Sequence, residues 1–188
     1  ALLNSVISEC LIRVKNTTQN ITADSLDAIP VILGDDEMIK EISELVENQM
    51  IIAKQDWDSF EVSWDYQEHP FVQIRKSIEG SDVLLSDVYD IWSKTCDDRF
   101  ERAKANEERI NTLLLQVYGL QEELDASIKD KDISIHKANM ERDVKSFISY
   151  IVGCMFGRYS VDHVGLIYAG GKWDDSKYIS FIPDKDGI

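Results

Sequence analysis

Proline and glycine are scarce in this chain, and their scarcity limits the folds that it can adopt. Its 188 residues include three prolines, Pro30, Pro70 and Pro183, and nine glycines. Both residue types interrupt regular secondary structure, and all-β folds use many of them in their turns. So few interruptions over this length favour long helices over an all-β fold.

Apolar residues recur every three or four positions in three stretches, which is the spacing of a helix that buries one face. The sequence therefore predicts helices over residues 37–55, 82–108 and 138–157. Residues 81–82 are suited to cap the second helix. A further apolar set after Asn106 either continues that helix or starts a new one.

Shorter apolar runs lie outside the three helices. Residues 7–14 fit a helix or a strand, and residues 16–20 form a polar stretch typical of a loop. Residues 29–33 are a short β-branched run broken by Pro30, which fits an edge strand or an extended lead-in. The runs at 166–168 and 178–182 favour short strands. The predicted fold is mainly α, a helical bundle or a long helical hairpin with short β elements near both ends.

The chain is strongly acidic, with 35 Asp and Glu against 20 Lys and Arg and a net charge of −15. DNA is a polyanion, and proteins gain much of their affinity for it by neutralising phosphates with Lys and Arg. A domain this acidic is a poor DNA binder by itself. A basic partner protein or a basic neighbouring domain fits the charge better.

Cysteine use and hydropathy indicate the compartment. Cys10, Cys96 and Cys154 are far apart and odd in number, which argues against a disulfide framework or a structural zinc site and for a reducing cytoplasm. The longest apolar stretch, around 147–156, is half of the roughly 20 residues that a membrane-spanning helix needs. We therefore predict a cytoplasmic protein without a membrane span.

One segment has part of a calcium-loop spacing. Asp130, Asp132, Ser134 and Glu141 match ligand positions 1, 3, 5 and 12 of such a loop, but Ile135 stands where the sharp turn needs glycine. A solvated loop is the preferred interpretation of this segment.

An aromatic segment follows the first predicted helix. Trp57, Phe60, Trp64, Tyr66 and Phe71 have the spacing of residues that stack on nucleic-acid bases, but five carboxylates lie among them. Because those carboxylates repel phosphate, we expect these rings to pack in a core or an interface.

No catalytic, cofactor-binding or metal-binding residue is predicted. His69, His136 and His163 are far apart, without a carboxylate or cysteine at ligand spacing, and are expected at the surface or at helix caps. The sequence contains no HExxH, P-loop or GxGxxG motif and no Ser-His-Asp order.

Basic residues form two weak groups. Arg142, Lys145 and Arg158, on or just after the last predicted helix, are the candidate nucleic-acid contacts. The other group lies near one helix junction and comprises Arg99, Arg102, Lys104 and Arg109. Nearby acids compensate most of these charges, which favours a solvated helix face.

Three stretches resemble one family. Residues 141–160, ERDVKSFISYIVGCMFGRYS, are similar to a signature of the large adenine-specific DNA methyltransferases of bacteriophage-exclusion (BREX) systems, the PglX type. Residues 56–66, DWDSFEVSWDY, followed by His69-Pro70, resemble a segment of these enzymes and of related restriction–modification methyltransferases. Residues 16–31 resemble the stretch that closes their catalytic domain.

The resemblance implies a parent protein that transfers a methyl group from S-adenosylmethionine to the adenine amino group. Its glycine-containing cofactor loop and its Asn/Asp-Pro-Pro-aromatic motif have no counterpart in this sequence, so no catalytic or cofactor-binding residue is carried over. The resemblance further implies a tail of the methyltransferase-like domain at 1–33, a helical spacer at 34–160 and the start of a target-recognition region at 161–188. DNA would be reached through the parent, and other defence-system subunits are further expected partners.

Two alternatives stay open on sequence grounds. The first is a stand-alone acidic protein-interaction module or DNA mimic with no methyltransferase parent. The second is direct recognition of a DNA target by residues 159–188 together with Arg142, Lys145 and Arg158.

Overall fold

The computed structural model of the chain describes residues 1–16 and 21–184. The helices of this described part are α1 (Val6–Lys15), α2 (Ala23–Asp27), α3 (Asp36–Trp57), α4 (Pro70–Ser77), α5 (Leu85–Tyr118) and α6 (Met140–Met155). Single 3₁₀ turns occur at Leu2–Asn4, Asp130–Asp132 and Asp175–Lys177. Most of the predicted polar loop at 16–20, and the last four residues of the chain, lie outside the described residues.

The mainly α prediction is confirmed. The three periodic stretches correspond to α3, α5 and α6. The apolar set after Asn106 continues α5 as one helix of 34 residues. The ambiguous run at 7–14 lies in the helix α1, and residues after Pro70 form the helix α4.

The start of α5 differs from the prediction. Residues 81–82 do not cap α5; the Asp87 carboxylate in its first turn accepts a hydrogen bond from the Leu84 N–H at 3.0 Å. Pro70 begins α4, where its missing N–H costs nothing. His69 caps this helix through Nδ1, which accepts the Phe71 N–H at 3.2 Å.

Of the two alternatives predicted at 29–33, the edge strand is wrong. Pro30 has no N–H to donate to a strand ladder, and its carbonyl accepts a hydrogen bond from the Tyr118 hydroxyl at 2.5 Å. The same hydroxyl accepts the Ile32 N–H at 3.2 Å. One tyrosine side chain therefore binds backbone groups that a strand partner would otherwise bind.

The β elements predicted at 166–168 and 178–182 are also wrong. The Ile167 N–H donates to the Arg158 carbonyl at 2.9 Å, and the Ile179 and Ser180 N–H groups donate to the Asp162 carboxylate at 2.7 and 2.9 Å. These donors are satisfied by a helix-end carbonyl and a side chain. No strand forms among the described residues 1–16 and 21–184.

The described chain contains two compact units. Among the described residues, unit 1 comprises 1–16, 21–53 and 100–135, and unit 2 comprises 54–99 and 136–184. In unit 1, α1, α3 and α5 share an apolar core around the buried side chains of Ile7, Ile110 and Leu114. A second unit 1 cluster consists of Ile52, Phe100, Ala103, Ile133 and Ile135.

Unit 2 also contains two apolar clusters. The first joins α4, α5 and α6 and is formed by Phe71, Val88, Trp92 and Cys96 with partly buried neighbours that include Phe147. The second consists of Tyr66, Tyr150, Cys154 and Tyr159. Among the described residues, no helix is long and apolar enough to cross a membrane.

Candidate functional site

Asp143, in the first turn of α6, is the most buried carboxylate of unit 2, with 2% of its surface exposed. It accepts hydrogen bonds from Trp92 Nε1 at 3.0 Å, the Asn139 N–H at 2.9 Å and Arg142 Nε at 2.7 Å. A buried carboxylate is costly unless such donors replace the water that it loses. Asp143 therefore fixes the start of α6 against α5 in unit 2.

Asp56 is a second buried carboxylate, at the end of α3. Its Oδ2 lies 2.7 Å from His136 Nδ1, and the His136 N–H is 3.4 Å from each carboxylate oxygen. Because an ionised carboxylate only accepts hydrogen bonds, Nδ1 is the donor in this pair. The His136 ring meets Phe60 edge-on at 5.3 Å, and the Arg142 guanidinium lies 5.0 Å from the Phe60 ring centre.

A narrow cleft runs beside these groups. It is lined by Ser59, Phe60, His69, Pro70, Trp92, Asp143 and Ser146, and it is too narrow for a water molecule. Burial lowers the pKa of His69 to about 4, so its ring is neutral near pH 7. The ring nitrogen Nδ1 of His69 is already occupied by the Phe71 N–H.

This arrangement holds helices in place and gives no substrate access. Acid–base catalysis needs a titratable group that reaches a reacting atom. Asp56 and Asp143 instead bind protein donors, and the cleft beside Asp143 has no room for a ligand. Sequence spacing missed this cluster because its partners are far apart in the chain: 80 positions separate Asp56 from His136, and 51 separate Trp92 from Asp143.

The three predicted nucleic-acid contacts all have partners within unit 2. Arg142 donates to Asp143 and, through Nη2, to the Lys137 carbonyl at 3.0 Å. Lys145 forms a one-turn pair with Glu141 at 2.5 Å. The Arg158 guanidinium lies 5.5 Å from the Tyr159 ring centre. The structure does not test whether these residues touch DNA, so that assignment stays a prediction.

The residues of the second basic group also have partners. Arg109 forms a two-bonded pair with Glu41 at 2.7 and 3.0 Å, and Lys104 pairs with Asp130 at 2.7 Å. Arg102 donates to Asn48, and Arg99 donates to Ser59. These contacts fit the predicted solvated helix face.

The calcium-like spacing does not assemble a ligand sphere in the described residues. Asp130 binds Lys104, Glu141 binds Lys145, and Ile133 and Ile135 are buried in the unit 1 core. Within residues 1–16 and 21–184, no three His, Cys, Asp or Glu side chains are placed to hold a metal ion. Cys10, Cys96 and Cys154 are free thiols, and burial raises the pKa of Cys96 to about 12.

The aromatic segment divides into a buried part and an exposed part. Tyr66 and Phe71 are core residues, as predicted, and burial raises the pKa of Tyr66 above its ordinary value. Trp57 is half-exposed and Trp64 is fully exposed. The sequence gives no signal that separates these two tryptophans from their buried neighbours.

Two adenine-specific methyltransferases are similar to this chain in sequence. PglX of Lacticaseibacillus casei (strain Zhang) is 38% identical over all 188 residues, which is 15% of the length of PglX. BrxX of Escherichia coli O9:H4 (strain HS) is 25% identical over 196 aligned positions, covering 91% of this chain and 15% of BrxX. No protein-family profile matches the chain. The similarity confirms the family resemblance, and the chain spans about 15% of the length of these relatives.

Proposed function

We propose that this chain, which is related over its whole length to a segment of the PglX-type adenine-specific methyltransferases, is a non-catalytic helical region of such a protein. The observation that carries the proposal is the 38% identity over 188 residues that match only 15% of PglX. In this proposal, S-adenosylmethionine binding and methyl transfer belong to other regions of the polypeptide, which works in the cytoplasm as part of a phage-defence or restriction–modification system.

The contacts of the buried polar groups support a structural role. Asp143 receives three hydrogen bonds from protein donors, and Asp56 is paired with His136. Charged groups held in this way lose the freedom to bind a substrate, but they fix the relative positions of the helices that carry them. That is what a spacer between DNA-contacting domains requires.

The proposal includes a division of the chain. Residues 1–33 are the end of the methyltransferase-like domain, residues 34–160 the helical spacer and residues 161–188 the start of a target-recognition region. DNA is then bound by the parent protein, and other defence-system subunits dock on it. The proposed division follows the family resemblance of residues 16–31 and 141–160.

Calorimetry with S-adenosylmethionine tests the non-catalytic assignment. The 188-residue chain is expected to give no binding heat with the cofactor and no methyl transfer to DNA. Tight cofactor binding to this chain would contradict the proposal, since the chain would then contain part of the active site.

A stand-alone acidic interaction module is the second candidate, and the net charge of −15 favours it. The gene distinguishes the two: a methyltransferase parent requires an Asn-Pro-Pro-aromatic motif encoded upstream in the same reading frame. A reading frame without that motif would favour the stand-alone module.

Direct DNA recognition by residues 159–188 and the Arg142, Lys145 and Arg158 side chains has a separate test. Phosphate contacts give an affinity that falls steeply as the salt concentration rises. Gel shifts with the 188-residue chain over a salt series are expected to show no binding. A complex that weakens with salt and is lost in a triple alanine variant of these residues would establish DNA recognition.

A further inference from the structure

The loop between α3 and α4 presents a tryptophan wholly to solvent. The relative exposure of Trp64 is 101%, and that of Val62, two residues earlier, is 67%. Tryptophan has a large apolar surface, and at protein interfaces it is enriched among the side chains that dominate binding. An exposed tryptophan of this kind is a candidate docking residue.

Contacts on both sides of Trp64 hold its backbone in place. The neighbouring Ser63 is buried, and its hydroxyl donates to Asp58 at 2.6 Å and accepts the Asp65 N–H at 3.1 Å. Lys54 binds Asp58 at 2.9 Å and also binds Asp65. A side chain presented from a loop that is already ordered loses little entropy when it binds a partner.

A hydrogen bond joins this loop to α6. The Ser149 hydroxyl donates to Glu61 at 2.8 Å, which brings the loop against the outer face of that helix. On the same helix, Ile148 is 54% exposed and Val152 is 42% exposed. We call the exposed side chains of Val62 and Trp64 the Trp64 surface.

The charge beside the Trp64 surface is negative. A single ammonium group, that of Lys54, is shared by the carboxylates of Asp58 and Asp65, which leaves this group of three with a net charge of −1. Glu61 adds a further carboxylate beside Ser149. The face of an indole ring attracts a guanidinium or ammonium group, and nearby carboxylates attract the same cation.

We propose that the Trp64 surface docks an arginine-bearing, basic surface of the same PglX-type polypeptide, outside residues 1–188. The inference rests on the proposed function. A methyltransferase must meet DNA phosphates with basic residues, and this segment carries a net charge of −15, so those basic residues lie elsewhere in the polypeptide. They are complementary in charge to the Trp64 surface.

The other occupants fit less well. A second copy of the chain would bring two net charges of −15 together, and DNA would bring phosphates against Asp58, Glu61 and Asp65. A basic region of the same polypeptide is also held at a high effective concentration, so a small surface suffices for docking.

Peptide binding to the 188-residue chain tests the chemistry. Hexa-arginine peptide is titrated into the wild type, Trp64→Ala and Trp57→Ala by calorimetry, with thermal unfolding as a folding check. Both variants keep the full negative charge of the wild type. The general attraction of a cationic peptide therefore contributes equally to the three affinities and cancels when they are compared. Loss of the indole is expected to weaken binding about twofold to fivefold for Trp64→Ala, which is the range for an exposed cation–π contact. Trp57→Ala is expected to bind hexa-arginine as the wild type does.

Equal affinity of the wild type and Trp64→Ala for hexa-arginine would overturn the inference that the Trp64 indole binds guanidinium groups. Trp64→Phe gives a second test that does not depend on how the alanine variant folds. It keeps an aromatic face and is expected to bind hexa-arginine more tightly than Trp64→Ala does; affinity equal to that of the alanine variant would also count against the inference.

Crosslinking tests the source of the docked surface. A photoreactive residue replaces Trp64 in the complete PglX-type polypeptide, and a matched control replaces the exposed Lys94 of α5. The expected product is an intramolecular crosslink to a basic peptide outside residues 1–188, from position 64 and not from position 94. Crosslinks that join two copies or a different protein would overturn the assignment.

The two proposals fail in distinguishable ways. Cofactor binding by the 188-residue chain would contradict the proposed function, whatever position 64 contacts. Absence of both cofactor binding and the crosslink would overturn the docking inference alone.

Discussion

At the scale of single residues, Asp143 is the clearest case of a charge used for structure. Its carboxylate is 2% exposed and accepts hydrogen bonds from an indole, a backbone N–H and a guanidinium. Buried charges of this kind are tolerated only when several donors surround them. The stability of unit 2 therefore depends on the carboxylate of Asp143.

Asp143→Asn is expected to lower the free energy of unfolding by about 2 to 4 kcal/mol. The amide keeps the size of the side chain but removes its charge and turns an NH₂ group toward one of the donors. Urea unfolding of the 188-residue chain measures the loss. The exposed Asp98→Asn on α5 is the control, and equal stability of the two variants would contradict the assigned role.

His69 leads to a prediction on pH. Burial lowers its pKa to about 4, below the ordinary value of 6.5 that applies in the unfolded chain. Between these two values the unfolded state binds the additional proton, so the free energy of unfolding falls as the pH is lowered from 6.5 to 4. The expected loss is about 3 kcal/mol.

Comparison with His69→Asn isolates this contribution, since asparagine also caps helices and carries no titratable group. The free energy of unfolding at pH 7 minus that at pH 4.5 is expected to be smaller in the variant. Carboxylates titrate alike in both proteins and cancel. An unchanged difference would show that His69 is not buried in its neutral form.

Sequence spacing located some residues and missed others for a physical reason. The cap at His69 depends on the next two residues, so a local pattern can indicate it. The pair of Asp56 and His136 spans 80 positions and depends on how unit 2 packs, which no local spacing records. The exposure of Trp64 beside the buried Tyr66 is missed for the same reason.

At the scale of elements, the long helices could be predicted because apolar periodicity is repeated over many turns. The helices α3, α5 and α6 were each found from this signal, with boundaries within a few residues for α3 and α6. Runs such as 29–33 and 178–182 are too short to distinguish a strand from an extended segment held by side chains. Tyr118 and Asp162 supply those side chains from distant positions.

The glycine that follows α6 gives a prediction about helix ends. Gly157 has φ +73°, and a Cβ there would lie 2.2 Å from Trp173 Cη2. Gly157→Ala adds this clash to the cost of a left-handed backbone and is expected to lower the free energy of unfolding by about 3 kcal/mol.

Gly119, which follows α5, is the matched control. It has φ +67°, but its Cβ position has no neighbouring atom within 4 Å. Gly119→Ala is therefore expected to cost only the backbone strain, about 1 to 2 kcal/mol. Equal losses in the two variants would mean that Trp173 does not pack against Gly157; thermal unfolding followed by circular dichroism measures both.

At the scale of the whole molecule, the net charge of −15 affects stability through self-repulsion. Raising the ionic strength from about 0.01 M to about 1 M shortens the Debye length from about 30 Å to about 3 Å. The melting temperature of the 188-residue chain is expected to rise over this range. Salt weakens both exposed ion pairs, such as Arg109–Glu41, and the repulsion among the excess carboxylates, and the ion pairs contribute less to the free energy of unfolding.

Replacing the exposed Asp97 and Asp98 with asparagine reduces the net charge to −13 and is expected to flatten this salt dependence. Differential scanning calorimetry at matched salt concentrations makes the comparison. A melting temperature that falls with salt in the wild type would mean that its ion pairs outweigh its repulsion.

The composition of unit 1 has a consequence for synthesis on the ribosome. Its first part, residues 1–53, packs against residues 100–135, which are translated only after the whole intervening segment 54–99. At about 5 to 20 residues per second, Ile7 is made roughly 5 to 20 seconds before Ile110, and Ile52 roughly 2 to 10 seconds before Phe100. During that interval the nascent chain exposes apolar surface, so unit 1 is the part whose yield depends most on chaperones.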